Sequence, residues 1–231
     1  MEALPRHGEL SDAGGAWAIT TVRGDAGAFH GSDPVARRSA TIVAVSEPTL
    51  VLGSAQSDAA VDGRIARCLG VDVVRRRSGG GAVLLVPGEF AWLDLVIPAG
   101  DPLWSDDVGA AMEWVGRAWH DGLAALGVAG AVHGGAMQHG RWSAEVCFAG
   151  RGTGEVFAAD DMSAKLVGIS QRRTRSWARF QTMCHVRWRP ELVSALVAAP
   201  RPSPGDLAGL VRCVPCSVDD IVASVVAHLP S

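Results

Sequence analysis

Lys165 is the only lysine in a chain of 231 residues that also carries twenty arginines. Lysine presents a compact point charge and arginine a broad planar fork, so the two are not interchangeable in a confined site. A single ammonium among so many guanidiniums suggests a position that contacts one small anionic group, such as a carboxylate or a phosphate. Drift in an arginine-rich composition would also leave an occasional lysine, so this interpretation needs support from other motifs.

A glycine-rich segment upstream of Lys165 is a second candidate for anion binding. Residues 73–74 are apolar and lead into three arginines, a serine and three consecutive glycines, after which residues 82–86 are apolar again. Glycines let the backbone approach a ligand closely and aim its N–H groups at an anion. Flanking arginines add charge-assisted hydrogen bonds. A β-turn with a basic flank is the alternative, and the spacing fits neither a P-loop nor a dinucleotide fingerprint.

Together these segments resemble the lipoate–protein ligase family. The motif Arg-Arg-x-Ser-Gly-Gly-Gly-Ala-Val falls on residues 75–83, and Lys-x-x-Gly-x-x-Gln falls on residues 165–171. A third similarity, a strand followed by Gly-x-x-Gln, covers residues 50–56, and the whole resemblance spans roughly residues 40–189. It implies the biotin/lipoate ligase catalytic fold, an α+β domain related to class II aminoacyl-tRNA synthetases. A mixed β-sheet with helices packed on one side is therefore expected.

The resemblance implies an enzyme that attaches lipoate, or its precursor octanoate, to a lysine of a lipoyl domain. ATP and Mg²⁺ would serve as co-substrates for an acyl-adenylate, and neither a tightly bound cofactor nor a protein metal site is expected. Lys165 would bind carboxyl and phosphoryl oxygens and stabilise charge in the transition state. The residues expected to hold the acid or ATP are Arg76, Ser78, Gly79, Gly80, Gly81, Ala82, Val83, Gly168 and Gln171.

Two departures from the ligase pattern leave a second chemistry open. The His-Asp pair that usually follows Ala-Val is missing after Val83, and no Arg-Asn-Asp triplet precedes Lys165. Instead Cys147 lies eight residues before Glu155, a layout similar to the cysteine-dependent octanoyltransferases of the same superfamily. Such enzymes carry octanoate from acyl carrier protein through a cysteine thioester without ATP, and nearby cations would favour the thiolate that this requires.

Two further alternatives remain for these motifs. Cys147 stands between Val146 and Phe148 and has the composition of a small buried apolar residue. The missing His-Asp pair is also compatible with a non-catalytic homologue that binds an acyl group or a nucleotide.

Composition and charge limit the kinds of partner that can be expected. The net charge of −3 does not favour nucleic acid, and no apolar stretch is long enough to cross a membrane. Five scattered cysteines and an N-terminus without a signal-peptide pattern predict a cytoplasmic protein. Residues 162–190 contain Lys165 and six arginines but no acidic residue. This block predicts a docking face for an acidic acceptor, with Arg173 and Arg175 as the contacts.

The expected acceptor is the lipoyl domain of a 2-oxoacid dehydrogenase or the glycine cleavage H protein. Residues 1–199 are predicted to form the catalytic domain, with a weakly patterned segment at residues 1–38. A Pro-rich linker and a short helical tail would occupy residues 200–231. If adenylate chemistry needs an accessory domain, a separate polypeptide would supply it.

The hydrophobic periodicity predicts the elements of the chain. Helices are expected at residues 59–69, 106–126, 190–197 and 218–229. Hairpins are expected at 40–45 with 49–53, at 82–86 with 90–97, and at 155–157 with 164–170, and one more strand at 177–186.

Overall fold

The computed structural model describes residues 17–231, and the first sixteen residues of the predicted N-terminal segment lie outside it. The strands are β1 (Ala18–Gly24), β2 (Ser39–Val45), β3 (Thr49–Leu52), β4 (Asp72–Arg75), β5 (Val83–Leu85), β6 (Phe90–Pro98), β7 (Gly130–Val132), β8 (Val156–Ala158), β9 (Asp161–Arg173) and β10 (Trp177–His185). The α-helices are α1 (Ala26–Gly31), α2 (Gly63–Cys68), α3 (Val108–Ala125), α4 (Pro190–Leu196), α5 (Pro204–Ala208) and α6 (Val218–Ala227).

The strands form two sheets. The larger sheet has seven strands in the order β1-β2-β6-β10-β9-β8-β7, and the smaller has three in the order β4-β3-β5. Parallel pairing occurs between β1 and β2 and between β3 and β4, and the other pairs are antiparallel. The structure therefore confirms the predicted α+β class with a mixed sheet.

The central strand β6 is covered on both of its faces. Its residues Phe90 to Ile97 are all buried, as expected for a strand with packed layers above and below it. Helices α3 and α6 pack together beside the large sheet, where Trp119 of α3 is fully buried and donates its indole N–H to Thr182 Oγ1 at 2.8 Å. This pairing anchors the helical layer to β10.

Helix α3 confirms the strongest element predicted from the sequence. The expected apolar stripe is buried at Ala111, Met112, Val115, Trp119 and Leu123. The helix begins two residues later than predicted, because the side chain of Asp107 caps the Ala110 N–H at 2.8 Å.

Two predicted hairpins are wrong in their pairing although their strands exist. β2 lies in the large sheet and β3 in the small one. β5 lies in the small sheet and β6 in the large one. The turns at residues 46–48 and 87–88 carry the chain from one sheet to the other rather than back along the same sheet. Apolar strands that are buried in either sheet give no local signal of which sheet they join.

The predicted helix at residues 59–69 is also shorter than expected. A 3₁₀ turn, Asp58–Ala60, precedes α2, and the Asp62 side chain caps α2 by accepting from the N–H groups of Arg64 and Ile65. Asp62 followed by Gly63 restarts the chain as a new helix, because aspartate favours the N-cap and glycine disfavours a helix interior. Gly70 has φ +63° and ends α2, as predicted.

The segment after Pro200 packs into the same core as the sheets. Val214, Ile221 and Val225 are fully buried in the main cluster, and the Arg212 N–H donates to the Lys165 carbonyl at 3.0 Å. The predicted final helix and the paired strands β8 and β9 are confirmed. No helix among residues 17–231 is long and apolar enough to cross a membrane.

Candidate active site

A pocket lined by residues of both sheets is the candidate site. It encloses about 430 Å³ of empty space, part of it open to solvent. Its apolar walls include Val51, Leu85, Trp92, Phe148 and Met183. Such a chamber suits an alkyl or similarly apolar chain, because apolar surface is removed from water on both sides of the contact.

Four of the residues predicted to form the site line this pocket. They are Arg76, Val83, Cys147 and Gly168. They come from the glycine loop, from the start of β5, from the 3₁₀ segment Cys147–Ala149, and from β9. The sequence motifs, which lie up to ninety residues apart, therefore converge on one chamber.

Arg76 is a buried cation that shapes the glycine loop. Its Nη2 donates to the carbonyls of Gly79 at 2.7 Å and Gly81 at 2.9 Å, and its Nη1 donates to the carbonyl of Val51 at 3.3 Å. No carboxylate among the described residues pairs with this side chain, which is only 4% exposed. The pocket therefore carries an uncompensated positive charge that favours an anion or a developing oxyanion.

Cys147 lies directly against this loop. The position that a Cβ would occupy on Gly80 is 2.9 Å from Arg76 Nη2 and 3.5 Å from Cys147 Sγ, so the guanidinium and the thiol both border Gly80. The backbone N–H of Cys147 donates to the Ala82 carbonyl at 3.0 Å and fixes the turn to the loop. Cys147 is half-buried rather than sealed, and this exposure suits a reactive side chain.

The loop glycines differ in how closely they are packed, which gives a first prediction. A Cβ on Gly81 would lie 2.6 Å from the Val146 carbonyl carbon, whereas a Cβ on Gly79 would meet nothing within 4 Å. We expect Gly81→Ala to displace the Cys147 turn, to lower the melting temperature, and to reduce activity by a large factor. Gly79→Ala should change neither, because its φ is also not positive. Melting curves of the two variants check this, and equal behaviour would contradict the packing described.

Lys165 is not part of the pocket wall, and its ammonium contacts the backbone of Cys147 instead. It is 1% exposed, and its Nζ contacts Glu155 Oε2 at 2.7 Å and Oε1 at 2.8 Å and donates to the Cys147 carbonyl at 3.2 Å. The sequence motif predicted an ammonium that contacts the acid and phosphate directly. In this structure the ammonium instead supports the backbone of the cysteine turn, and Glu155 holds it there.

The buried carboxylate of Glu155 has backbone partners in addition to Lys165. Its carboxylate also accepts from the backbone N–H of Gly152 at 2.6 Å and of Ile169 at 3.3 Å. The Lys165 ammonium further lies 5.2 Å from the Phe148 ring centroid, a distance for cation–π attraction. Phe148 in turn rests on Gly168, where a Cβ would approach the ring to 3.1 Å. A side chain in place of the glycine of the lysine motif would therefore require the Phe148 ring to shift by a few tenths of an ångström.

Ser78 and Gln171 have different surroundings. Ser78 Oγ bonds Ser170 Oγ at 3.0 Å and Gln181 Oε1 at 3.2 Å, so it joins the loop to β9 and β10. Both amide atoms of Gln171 are buried without a hydrogen-bond partner among residues 17–231, and Gln171 is not part of the pocket wall. The structure brings Ser78 to the site and leaves Gln171 beside it.

The basic block at residues 162–190 is largely occupied by internal contacts. Arg179 is buried against Asp94 at 2.9 Å, and Arg172 pairs with Asp33 at 2.7 Å. Arg173 donates to the Ser105 carbonyl at 2.7 Å and lies over the Trp104 ring. Arg175, in the turn between β9 and β10, is exposed.

Sequence reasoning missed several polar residues of the pocket. His30 of α1 stacks on Trp92 with ring centroids 5.0 Å apart, and its Nδ1 lies 3.1 Å from Gln181 Nε2. Burial, together with the positive charges of Arg179 and Arg76, lowers the pKa of His30 to about 3. The imidazole is therefore neutral at physiological pH. No local pattern around His30 marks it, because its contacts are with strands far along the chain.

The arrangement of sheets and helices is the fold of lipoate–protein ligase structures. Residues 32–231 match the lipoyl protein ligase A/B catalytic domain family, and the chain belongs to that family. No curated protein is detectably similar to the chain in sequence.

Solved structures agree with this classification at the level of the fold. A bipartite lipoate protein ligase from Thermoplasma acidophilum, described with its E2 lipoyl domain, superposes with a TM-score of 0.69 at 14% identity, covering 91% of this chain and 80% of that one. A lipoate-protein ligase A bound with ATP gives 0.62 at 16% identity, covering 83% and 71%. A T. acidophilum protein, Ta0514, with bound lipoic acid gives 0.61 at 15%, again covering 83% and 71%.

Proposed function

We propose that the protein transfers a medium-chain acyl group, octanoyl or lipoyl, to a lysine of a lipoyl domain through a thioester on Cys147. The observation that carries this proposal is the position of Cys147, half-exposed in the wall of an apolar pocket and next to the buried guanidinium of Arg76. A partly exposed cysteine in the wall of an apolar pocket can be reached by the carbonyl of an acyl chain that the pocket holds, as nucleophilic catalysis requires.

The reaction balances in two steps. The Cys147 thiolate attacks the carbonyl carbon of an acyl thioester, a new C–S bond forms, and the carrier leaves as a thiolate that takes up a proton. The neutral amine of the acceptor lysine then attacks the acyl-cysteine, an amide forms, and the Cys147 thiolate is released while the amine gives its proton to solvent. Arg76 and the backbone of the glycine loop would stabilise the oxyanion of each tetrahedral intermediate.

The second candidate is an ATP-dependent lipoate–protein ligase of the kind first expected from the motifs. The Ser-Gly-Gly-Gly form of the loop favours it, and one structural neighbour is described with bound ATP. In that reaction Arg76 and the loop would hold the carboxylate and the α-phosphate, with Mg²⁺ as co-substrate. The sealed Lys165–Glu155 pair favours the cysteine reaction instead, because a phosphate would have to displace Glu155 from the ammonium.

One experiment separates these candidates. Purified protein is incubated with a lipoyl domain and either octanoyl-acyl carrier protein or free acid with ATP and Mg²⁺, and the mass of the acceptor is measured. Acylation from a carrier without ATP supports the proposal. Acylation that requires ATP and the free acid establishes the ligase, and absence of acylation from every donor indicates a non-catalytic homologue.

Of the two arginines predicted to contact the acceptor, we retain Arg175, because Arg173 is held by internal contacts. Lipoyl domains are acidic, and charge steering acts mainly on association and is screened over about 8 Å at physiological salt. We expect Arg175→Glu to raise KM for the acceptor several-fold without changing the rate of acyl loading, and added salt should reduce the difference between variant and wild type. Arg23→Glu, exposed at the far end of β1, is the matched control. Equal effects of the two substitutions would place docking elsewhere.

A further inference from the structure

The pocket has one polar wall, and its hydrogen bonds form an ordered chain. Arg179 Nε donates to both oxygens of Asp94, at 3.0 and 2.9 Å. Asp94 Oδ2 in turn lies 3.3 Å from Gln181 Nε2, and Gln181 Oε1 accepts from Ser78 Oγ at 3.2 Å. Because a carboxylate only accepts, the NH₂ group of Gln181 must face Asp94.

This orientation fixes the tautomer of His30. The same Gln181 NH₂ group lies 3.1 Å from His30 Nδ1, so Nδ1 accepts and the proton of the neutral ring is on Nε2. The Nε2–H group has no hydrogen-bond partner in the protein among residues 17–231, and it is not one of the polar atoms sealed from solvent, so the pocket leaves it open to water or a ligand. Among the other polar residues that line the pocket, Ser170, Gln181 and Thr182 have partners within the protein, whereas Arg76 Nε has none and lies by the glycine loop.

An unpaired donor in a mostly apolar chamber discriminates between ligands. A plain alkyl chain that fills the pocket would cover this N–H and leave it without any partner, which is unfavourable. An acyl chain that carries an acceptor atom would satisfy it. The reacting carbonyl itself belongs at Cys147, on the wall formed by the glycine loop, whereas His30 lies on the wall formed by α1 and Trp92 of β6.

We infer that His30 Nε2–H is a subsite for an acceptor atom in the acyl chain, so that the pocket favours a sulfur-bearing lipoyl group over an all-carbon chain of the same shape. The inference rests on the proposed function, in which the pocket holds the acyl chain. His30 is thus a specificity-determining residue, and its contact lies away from the bond that is made or broken. The dithiolane sulfur is a weak acceptor, so the expected discrimination is moderate.

The test measures binding rather than turnover, with two acids matched in shape. Lipoate and 5-cyclopentylpentanoate, in which methylene groups replace the two ring sulfurs, are titrated calorimetrically into wild type, His30→Phe and His30→Gln. Wild type should bind lipoate about five- to tenfold more tightly than the carbocyclic acid. The ratio should fall to about one in His30→Phe, which keeps an aromatic ring against Trp92, and should remain largely in His30→Gln, whose amide can reach the Nε2 position.

The possible outcomes distinguish this inference from the proposed function. If the ratio of the affinities for lipoate and the carbocyclic acid is unchanged in His30→Phe, His30 does not contact the sulfur-bearing end of the chain, and the subsite is overturned. If His30→Phe weakens both acids equally, His30 contacts the carboxylate that the two acids share, and the subsite is likewise overturned. Failure of every protein to bind either acid would count against the acyl pocket itself and therefore against both proposals. Melting temperatures confirm that each variant is folded, and His30→Gln provides the readout if His30→Phe is not.

Discussion

Glu155→Gln is expected to lower the free energy of unfolding by about 3–5 kcal/mol, the cost of breaking a buried ion pair by removing one partner. The substitution keeps the volume of the side chain but leaves the sealed ammonium of Lys165 without a countercharge. A domain is typically stable by about 5–15 kcal/mol, so the variant should be close to unfolding at physiological temperature. Urea denaturation followed by circular dichroism measures the change.

Two controls isolate the charge as the cause. Glu113→Gln removes an exposed partner of Arg117 and should cost about 0.5 kcal/mol or less. The double variant Glu155→Gln/Lys165→Met removes both charges and should recover much of the loss, because an apolar replacement of a buried pair is often tolerated. If Glu155→Gln unfolds at the same urea concentration as wild type, Lys165 is not held by Glu155 in solution.

Cys147→Ser is expected to reduce acyl transfer by about 10³-fold or more while leaving the melting temperature nearly unchanged. A serine hydroxyl at this position has a similar size but remains protonated, and no described side chain of His, Asp or Glu hydrogen-bonds the Cys147 side chain to act as its base. The rate of lipoyl-domain acylation from an acyl carrier measures the effect. Cys68→Ser, an exposed cysteine on α2, is the matched control and should behave as wild type.

The same variant separates the two chemistries. In an ATP-dependent ligase the thiol is only a neighbour of the acid, so Cys147→Ser would keep most of its activity with free acid and ATP. Retention of that activity would reject the thioester mechanism and restore the original expectation from the motifs.

Much of the fold could be predicted from local patterns. The stripe along α3, the final helix and the β8–β9 pairing follow from residue spacing and turn residues, and the structure reproduces them. The pairing of β2 with β3, and of β5 with β6, was wrong because partner choice depends on which sheet each strand joins. Short strands that are apolar throughout carry no alternation from which the sheet could be deduced.

The candidate site shows a similar division. Motif residues Arg76, Val83, Cys147 and Gly168 were named from the sequence, and all four line the pocket. Glu155 was noted only for its spacing from the cysteine, and its ion pair with Lys165 joins the residue before β8 to the middle of β9. Pairings of this kind arise from tertiary geometry and leave no periodic trace in the sequence.

His30 is a further case. Its partner Gln181 is 151 residues away along the chain, and its neutral state results from burial and from the charges of Arg179 on β10 and Arg76 in the glycine loop. A lone histidine in a glycine- and alanine-rich segment gives no indication of such a position. The polar wall of the pocket could therefore be recognised only in three dimensions.

The account rests on a covalent acyl group at Cys147, and intact-protein mass spectrometry tests this most directly. Wild-type protein is incubated with octanoyl-acyl carrier protein in the absence of ATP, desalted, and measured before and after hydroxylamine. The account predicts one octanoyl adduct that hydroxylamine removes, that passes to an added lipoyl domain, and that Cys147→Ser does not form. Acylation of the lipoyl domain with no such adduct on the wild-type protein, and only when ATP and free acid are supplied, would contradict it.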